Sequence, residues 1–211
     1  MDHEFWHQRW EADQIGFHQQ AINRYLSSHW AELGLADGAP VFVPLCGKSL
    51  DMLWLREQGH AVLGIELSEK AVVDFFAENQ LDFERVPQAP FIEYAGDRLS
   101  LLVGDFFALK AEDLHGIDAV YDRAALIALP EPMRYQYAAK MGELLPAGAH
   151  ILLVTLQYPE GARQGPPFSV ADDEVQALYG DGFAIQRIGV WEAQGPNDLA
   201  TTETVFHLIR R

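Results

Sequence analysis

The residues best suited to chemistry in this 211-residue sequence lie where short apolar runs give way to polar ones. Glu66 closes the run AVLGIEL (61–67), about 20 residues beyond the turn Leu45-Cys46-Gly47-Lys48-Ser49. At that separation an acidic side chain accepts hydrogen bonds from both hydroxyls of a ribose, which implies an adenosyl ligand. Gly47 allows close backbone approach, and the helix start beyond it can receive a carboxylate. The turn holds one glycine where nucleotide-binding loops usually hold several. Asp122 and Arg123 follow the run IDAVY and bring a carboxylate and a guanidinium to the same mouth. Asp105, ending LSLLVGD (99–105), is placed either to touch an adenine amino group or to cap a turn. A glutamate between a strand and a helix can also simply favour the helix N-terminus, and an arginine such as Arg123 can simply be ion-paired at the surface.

Two other features suggest chemistry that their context does not support. Cys46, the only cysteine, stands at a strand end like a nucleophile, but among apolar neighbours it reads as a small buried hydrophobe. His3-Glu4-Phe5-Trp6-His7 fits the H-E-x-x-H pattern, in which two histidines one helical turn apart hold zinc. It precedes every scaffold strand and has no third ligand at a familiar spacing, so no metal is expected. Trp6, Trp10 and Phe17 form an apolar face, either as core packing or as a wall against a ligand. Gly165-Pro166-Pro167-Phe168 reads as a stiff loop or part of a lid.

The elements that must hold these residues alternate from Pro40 onward. VFVPLC (41–46), AVLGIEL (61–67), LSLLVGD (99–105), IDAVYD (117–122) and HILLVTLQ (150–157) read as strands, with helical periodicity over 49–58 and from Ser68 to about Asn79. A further helix lies between Pro130 and Gly148. Short apolar runs separated by helices imply a parallel sheet and an α/β fold. FAIQRIGVWEA (183–193) and TTETVFHLIRR (201–211) are joined by too few residues for a crossover helix and should pair antiparallel. Residues 91–94 add at most a short strand. Seven strands in a mostly parallel, Rossmann-like sheet with a C-terminal hairpin suit a class I methyltransferase better than a dinucleotide dehydrogenase, which usually needs a second domain. The expectation is one domain over residues 1–211, with a helical N-terminal cover at 1–35 over a core at 40–211.

Composition narrows the partners. Fifteen Lys and Arg against 31 Asp and Glu give a formal net charge of -16, which repels phosphate backbones and anionic lipid headgroups. Nucleic acid and membrane partners are not expected. Neither a signal peptide nor an apolar stretch of the roughly 20 residues that span a bilayer is present, and a cytoplasmic monomer acting on a small molecule is the expectation.

The runs PLCGKSLDMLWLREQGHAVLGIELSEKAVVDFF (44–76), FWHQRWEADQIGFHQ (5–19) and YDRAALIALPEPMRYQYAAKMGELLPAG (121–148) resemble the thiopurine S-methyltransferases, in particular their bacterial branch, and do so in order along nearly the whole chain. The single-glycine turn is shared by that family. The resemblance implies that Trp10, Leu45, Glu66 and Arg123 contact S-adenosylmethionine, with backbone contacts near Asp105 and Phe106. It further implies that Phe17 and Arg123 border the acceptor pocket. Because the sulfonium methyl is already activated, the enzyme need only align a nucleophile and exclude water. Aromatic thiols ionise readily, so Arg123 would favour the thiolate while Asp122 or a water takes the proton. The family association with selenium and tellurium compounds extends the expectation to other soft nucleophiles. The competing readings are a nicotinamide-dependent oxidoreductase, against which the missing G-x-G-x-x-G stands, and a non-catalytic S-adenosylmethionine-binding protein.

Overall fold

A computed structural model describes residues 3–194 and 199–211. The chain opens with two short helices, α1 (His3–Glu11) and α2 (Arg24–His29). It then alternates β1 (Val41–Val43), α3 (Asp51–Glu57), β2 (Val62–Glu66) and α4 (Glu69–Glu78). A run of strands follows, β3 (Glu84–Gln88), β4 (Phe91–Gly96), β5 (Leu99–Val103) and β6 (Ala119–Arg123). The remainder comprises α5 (Glu131–Leu144), β7 (His150–Gln157), α6 (Asp172–Tyr179), β8 (Phe183–Gln194) and β9 (Ala200–Arg210). Ser68 caps α4 as its position predicts, its hydroxyl accepting a hydrogen bond from the Ala71 amide at 3.3 Å. No helix among the described residues is long and apolar enough to cross a membrane.

Among the described residues the sheet has nine strands in the order β3-β4-β5-β2-β1-β6-β7-β9-β8. β5, β2, β1, β6 and β7 run parallel, and β8 pairs antiparallel with β9 in the expected hairpin, whose connection at 195–198 lies outside the described residues. These are the seven strands expected. β3 and β4 enlarge the sheet, adding an antiparallel hairpin to β5. β4 realises the short strand suspected at 91–94, whereas β3, mostly exposed and containing Pro87, lacks the apolar alternation that marks a strand.

The helices bury apolar faces on both sides of this sheet. α4 presents Ala71, Val72, Phe75 and Phe76 to a core that includes Val41, Val43, Leu99 and Leu101. On the other side Tyr137 and Met141 of α5 and Val175 of α6 pack against Phe42, Ile65, Val120 and Leu153. Full burial of each large side chain contributes roughly 1.5–3 kcal/mol, enough to fix the register of strands whose faces would invert on a one-residue slip.

Chain direction across the sheet reverses between β1 and β6. From β1 the strands proceed outward through β2 to β5, and β6 then returns to the far side of β1. The crevice at such a reversal, beyond the carboxyl ends of the strands, is the ligand position of open α/β sheets. The N-terminal segment is tied to the sheet by named bonds, beside the crevice at Asn23 and at the amino ends of β1 and β2 at Trp30. The Asn23 amide donates to Asp51 Oδ1 at 2.7 Å, and Asp51 Oδ2 accepts from the Tyr121 hydroxyl at 3.0 Å. Trp30 Nε1 donates to His60 Nε2 at 2.9 Å, which leaves His60 Nδ1 to donate to the Ala39 carbonyl at 2.8 Å. The Tyr25 hydroxyl donates to Glu203 of β9 at 2.6 Å, and burial together with that carboxylate pushes the phenol up to about 12.

Candidate active site

A cavity of about 500 Å³ occupies the crevice. Its wall is made by strand ends on one side and by the N-terminal segment on the other. The strand-end wall carries unusual backbone. Leu45, just past β1, has φ 45°, and Ala124, just past β6, has φ 65°, both in the left-handed region that side chains with a Cβ rarely occupy. Conformations of this kind cost on the order of 1–3 kcal/mol and persist only where surrounding structure imposes them. Both residues line the cavity, one on each side of the reversal. Gly47 also has a left-handed φ, 52°, and a Cβ there would stand 3.2 Å from the Trp10 ring, so a side chain would both strain the turn and press on the aromatic cover.

Glu66 is buried at the end of β2, and its carboxylate faces the turn after β1. Oε2 accepts from the Gly47 amide and Oε1 from the Ser68 amide, each at 2.9 Å. Burial pushes the carboxyl upward while those amides pull it back. Each oxygen retains a lone pair, so the group is rigidly aimed and still able to accept from hydroxyls. Asp105 caps the turn after β5, accepting from the Phe107 amide at 2.9 Å, and His3 Nε2 lies 3.6 Å from its other oxygen. Phe106 is buried, its ring 4.8 Å from that of Tyr137.

Trp6, Trp10 and Phe17 form the cover's inner surface. Phe17 meets Trp6 edge-on at 5.8 Å and Trp10 at 5.5 Å. Trp10, Phe17, Leu45, Glu66, Asp105, Phe106 and Arg123, scattered over more than a hundred positions of sequence, thus line one cavity.

Asp122 is not brought there. Successive residues of a strand face opposite sides, and Asp122 points behind β6 while Arg123 points into the crevice. Its Oδ2 accepts from the Tyr137 hydroxyl at 2.7 Å and its Oδ1 from the Leu126 amide at 3.2 Å. Burial pushes its carboxyl up to about 6 against those two donors. With no exposed surface and both oxygens engaged, Asp122 is a structural group at the junction of β6 and α5, and the proton-accepting role expected for it is not supported by its position. Cys46 lines the cavity but is buried, and burial followed by the neighbouring Glu66 pushes its thiol well up, which suits the inert reading. Among the described residues no group of three or more His, Cys, Asp and Glu is arranged to hold a metal ion.

Several lining residues were not singled out from sequence. Lys48 pairs with Glu78 at 2.7 Å, Glu203 comes from the far hairpin, and His18, Arg9 and Arg163 reach the cavity from the cover and from the loop after β7. That loop is held down by Phe168, whose amide donates to the Ile127 carbonyl at 2.7 Å, and by the Tyr158 hydroxyl, which donates to the Pro167 carbonyl at 2.9 Å.

Comparison with known proteins agrees with this geometry. A solved 1,6-didemethyltoxoflavin-N1-methyltransferase of Burkholderia thailandensis, with S-adenosylhomocysteine bound, superposes with TM-score 0.68 at 16% identity, covering 99% of this chain and 86% of that one. A TehB-like S-adenosylmethionine-dependent methyltransferase of Corynebacterium glutamicum gives TM-score 0.58, also at 16% identity, covering 99% and 98%. The fold is therefore that of class I methyltransferases. At the level of sequence, the thiopurine S-methyltransferase of Marinobacter nauticus is 46% identical over the whole of both chains, and that of Pseudomonas entomophila is 54% identical over 89% of this chain and 87% of its own. The profile described as Thiopurine S-methyltransferase (TPMT) matches residues 1–208. With the strand-end crevice, the single-glycine turn and the aromatic cover all in place, the chain belongs to the thiopurine S-methyltransferase family.

Proposed function

We propose that this protein transfers the methyl group of S-adenosylmethionine to the sulfur of small aromatic or heterocyclic thiols. Glu66 carries the reading, because it is a buried carboxylate held by two backbone amides and aimed into a cavity at the sheet's reversal point. The donor set fits an adenosyl ligand. Glu66 would accept the ribose hydroxyls, the backbone around Asp105 and Phe106 would border the adenine, and the turn at Leu45 and Gly47 would meet the methionine end. When bound, the ligand supplies an activated methyl on a sulfonium.

The protein's own contribution is alignment and exclusion of water. Trp6, Trp10 and Phe17 give the acceptor an apolar wall suited to an aromatic ring. Arg123, charged at any working pH, would stabilise a thiolate at the end of β6. Selenols and tellurium analogues have the same soft-nucleophile chemistry and fall within the proposal. We read residues 1–211 as one catalytic domain acting on a small molecule in the cytoplasm as a monomer.

The test is incubation with methyl-labelled S-adenosylmethionine and a panel of thiophenols, heterocyclic thiols and selenols. Labelled methyl thioether or selenoether is expected. A protein that binds the donor tightly and methylates none of the panel would overturn the reading.

A further inference from the structure

With Asp122 turned away, the acceptor's proton passes either to water or to another group that lines the cavity. Most of the titratable side chains around it are committed elsewhere. Glu66 is held by two amides at one end, and Glu203 accepts from Tyr25 and pairs with Arg24 at 3.4 Å. Asp105 caps the turn after β5, where His3 lies beside it on the exposed side. Lys48 is bound to Glu78.

His18 differs from all of these. It lines the cavity from the turn after α1, which is closed by a bond from its own amide to the Ile15 carbonyl at 2.7 Å. Its ring has no hydrogen bond or ion pair among the described residues. The charged groups that face it are Lys48 from the end of β1, Arg123 from the end of β6 and Glu78 from α4. It therefore sits over the reversal point, between the two strand ends that carry the left-handed Leu45 and Ala124. Burial, then Lys48 and Arg123, lower its ordinary value, with Glu78 opposing, so the imidazole is neutral and free to accept a proton near neutrality.

From this geometry we propose that His18 is the proton acceptor of the methyl transfer. The inference rests on the thiol reading above. In the step, the acceptor's S–H bond breaks and its proton goes to a ring nitrogen of His18. The electron pair left on sulfur forms the new bond to the methyl carbon. The bond from that carbon to the sulfonium sulfur breaks, and its pair stays on the departing sulfur, which becomes neutral. His18 then releases the proton to solvent. Arg123, beside it, steadies the transient thiolate without competing for the proton.

The experiment compares thiophenol, still largely protonated at about pH 6, with 4-nitrothiophenol, already ionised there. His18→Gln is expected to lower kcat/KM for thiophenol about 5-fold, the most that a general base can contribute while roughly one-fifth of this thiol is ionised already. That deficit should exceed the one for 4-nitrothiophenol about 3-fold or more. The difference should close as pH rises and the acceptor ionises by itself, and added imidazole should restore part of the thiophenol rate. S-adenosylhomocysteine affinity and thermal unfolding establish that the variant is folded, and His18→Asn serves where glutamine is not tolerated. Equal deficits for both thiols at every pH, or no deficit in a folded variant, would overturn the assignment while leaving the thiol reading intact. A wild-type protein that methylates neither thiol would overturn both.

Discussion

Two buried carboxylates terminate parallel strands in this molecule, and they do opposite things. Glu66 at the end of β2 and Asp122 near the end of β6 are both pushed upward by burial, and each accepts two hydrogen bonds. The donors differ. Glu66 is held by amides of the two turns that border the cavity, so its remaining lone pairs face a ligand. Asp122 is held by a phenol and an amide behind the sheet, so its charge is spent joining β6 to α5. Burial and a shifted pKa therefore mark both a binding group and a structural one, and only the face of the strand tells them apart.

The largest effect expected from sharpening this contrast comes from Arg123, the neighbour of Asp122 on the opposite face. Arg123→Met should cost methyl transfer about 2.7–4 kcal/mol, as for loss of one good transition-state contact, with little change in stability. Single-turnover transfer at saturating donor across a pH series reads it. A wild-type rate at every pH in a folded variant would move the chemistry away from this side of β6.

The pocket behind the strand should answer to pH instead. Asp122 has a folded value of about 6 against an ordinary 3.8, so between those limits the folded state holds the proton more tightly than the unfolded state. Its contribution is thus fully present below pH 3.8 and is lost as pH rises through about 6. Relative to Asp122→Asn, which does not titrate, wild-type stability should decline by on the order of 3 kcal/mol across that window. Urea unfolding of both proteins from pH 4 to 7 measures it, and a constant gap would make Asp122 an ordinary carboxylate.

Glu66→Gln is expected to weaken S-adenosylhomocysteine binding by roughly 1.5–3 kcal/mol, the range for a hydrogen bond with a charged partner. Unchanged calorimetric affinity in a folded protein would remove the ribose role and erase the contrast. Smallest of all, Cys46→Ser should retain turnover and cost about 1 kcal/mol of stability for placing a hydroxyl in an apolar site. Loss of turnover with intact donor affinity would make the cysteine a participant.

Much of this was legible in the sequence because it is local. Glu66 and Gly47 follow from strand ends and spacing, and the capping alternative for Asp105 was realised by the Phe107 amide. The position of Asp122 was also readable in principle, since period-two alternation puts Asp122 and Arg123 on opposite faces. Its tie to Tyr137 was not, because that contact depends on how α5 docks. His18 lay hidden for the same reason. Only the folding of the N-terminal turn over the reversal point brings it against Lys48 and Arg123, the latter more than a hundred positions away in sequence. β3 escaped because ERVPQ has neither apolar alternation nor freedom from proline.

That unpromising strand has a use. An open sheet of this width ends in two rows of unpaired amides and carbonyls, which are templates for joining another molecule's strand. At one end β3 is short, charged and interrupted by Pro87, which offers no amide. At the other end β8 is broken by an irregularity between Arg187 and Gly189, and Arg187 is drawn aside to Asp172 at 2.7 Å. Both margins thus discourage the ribbon-to-ribbon growth that leads to fibrils, and a segment that looks like a poor strand guards the solubility of the whole.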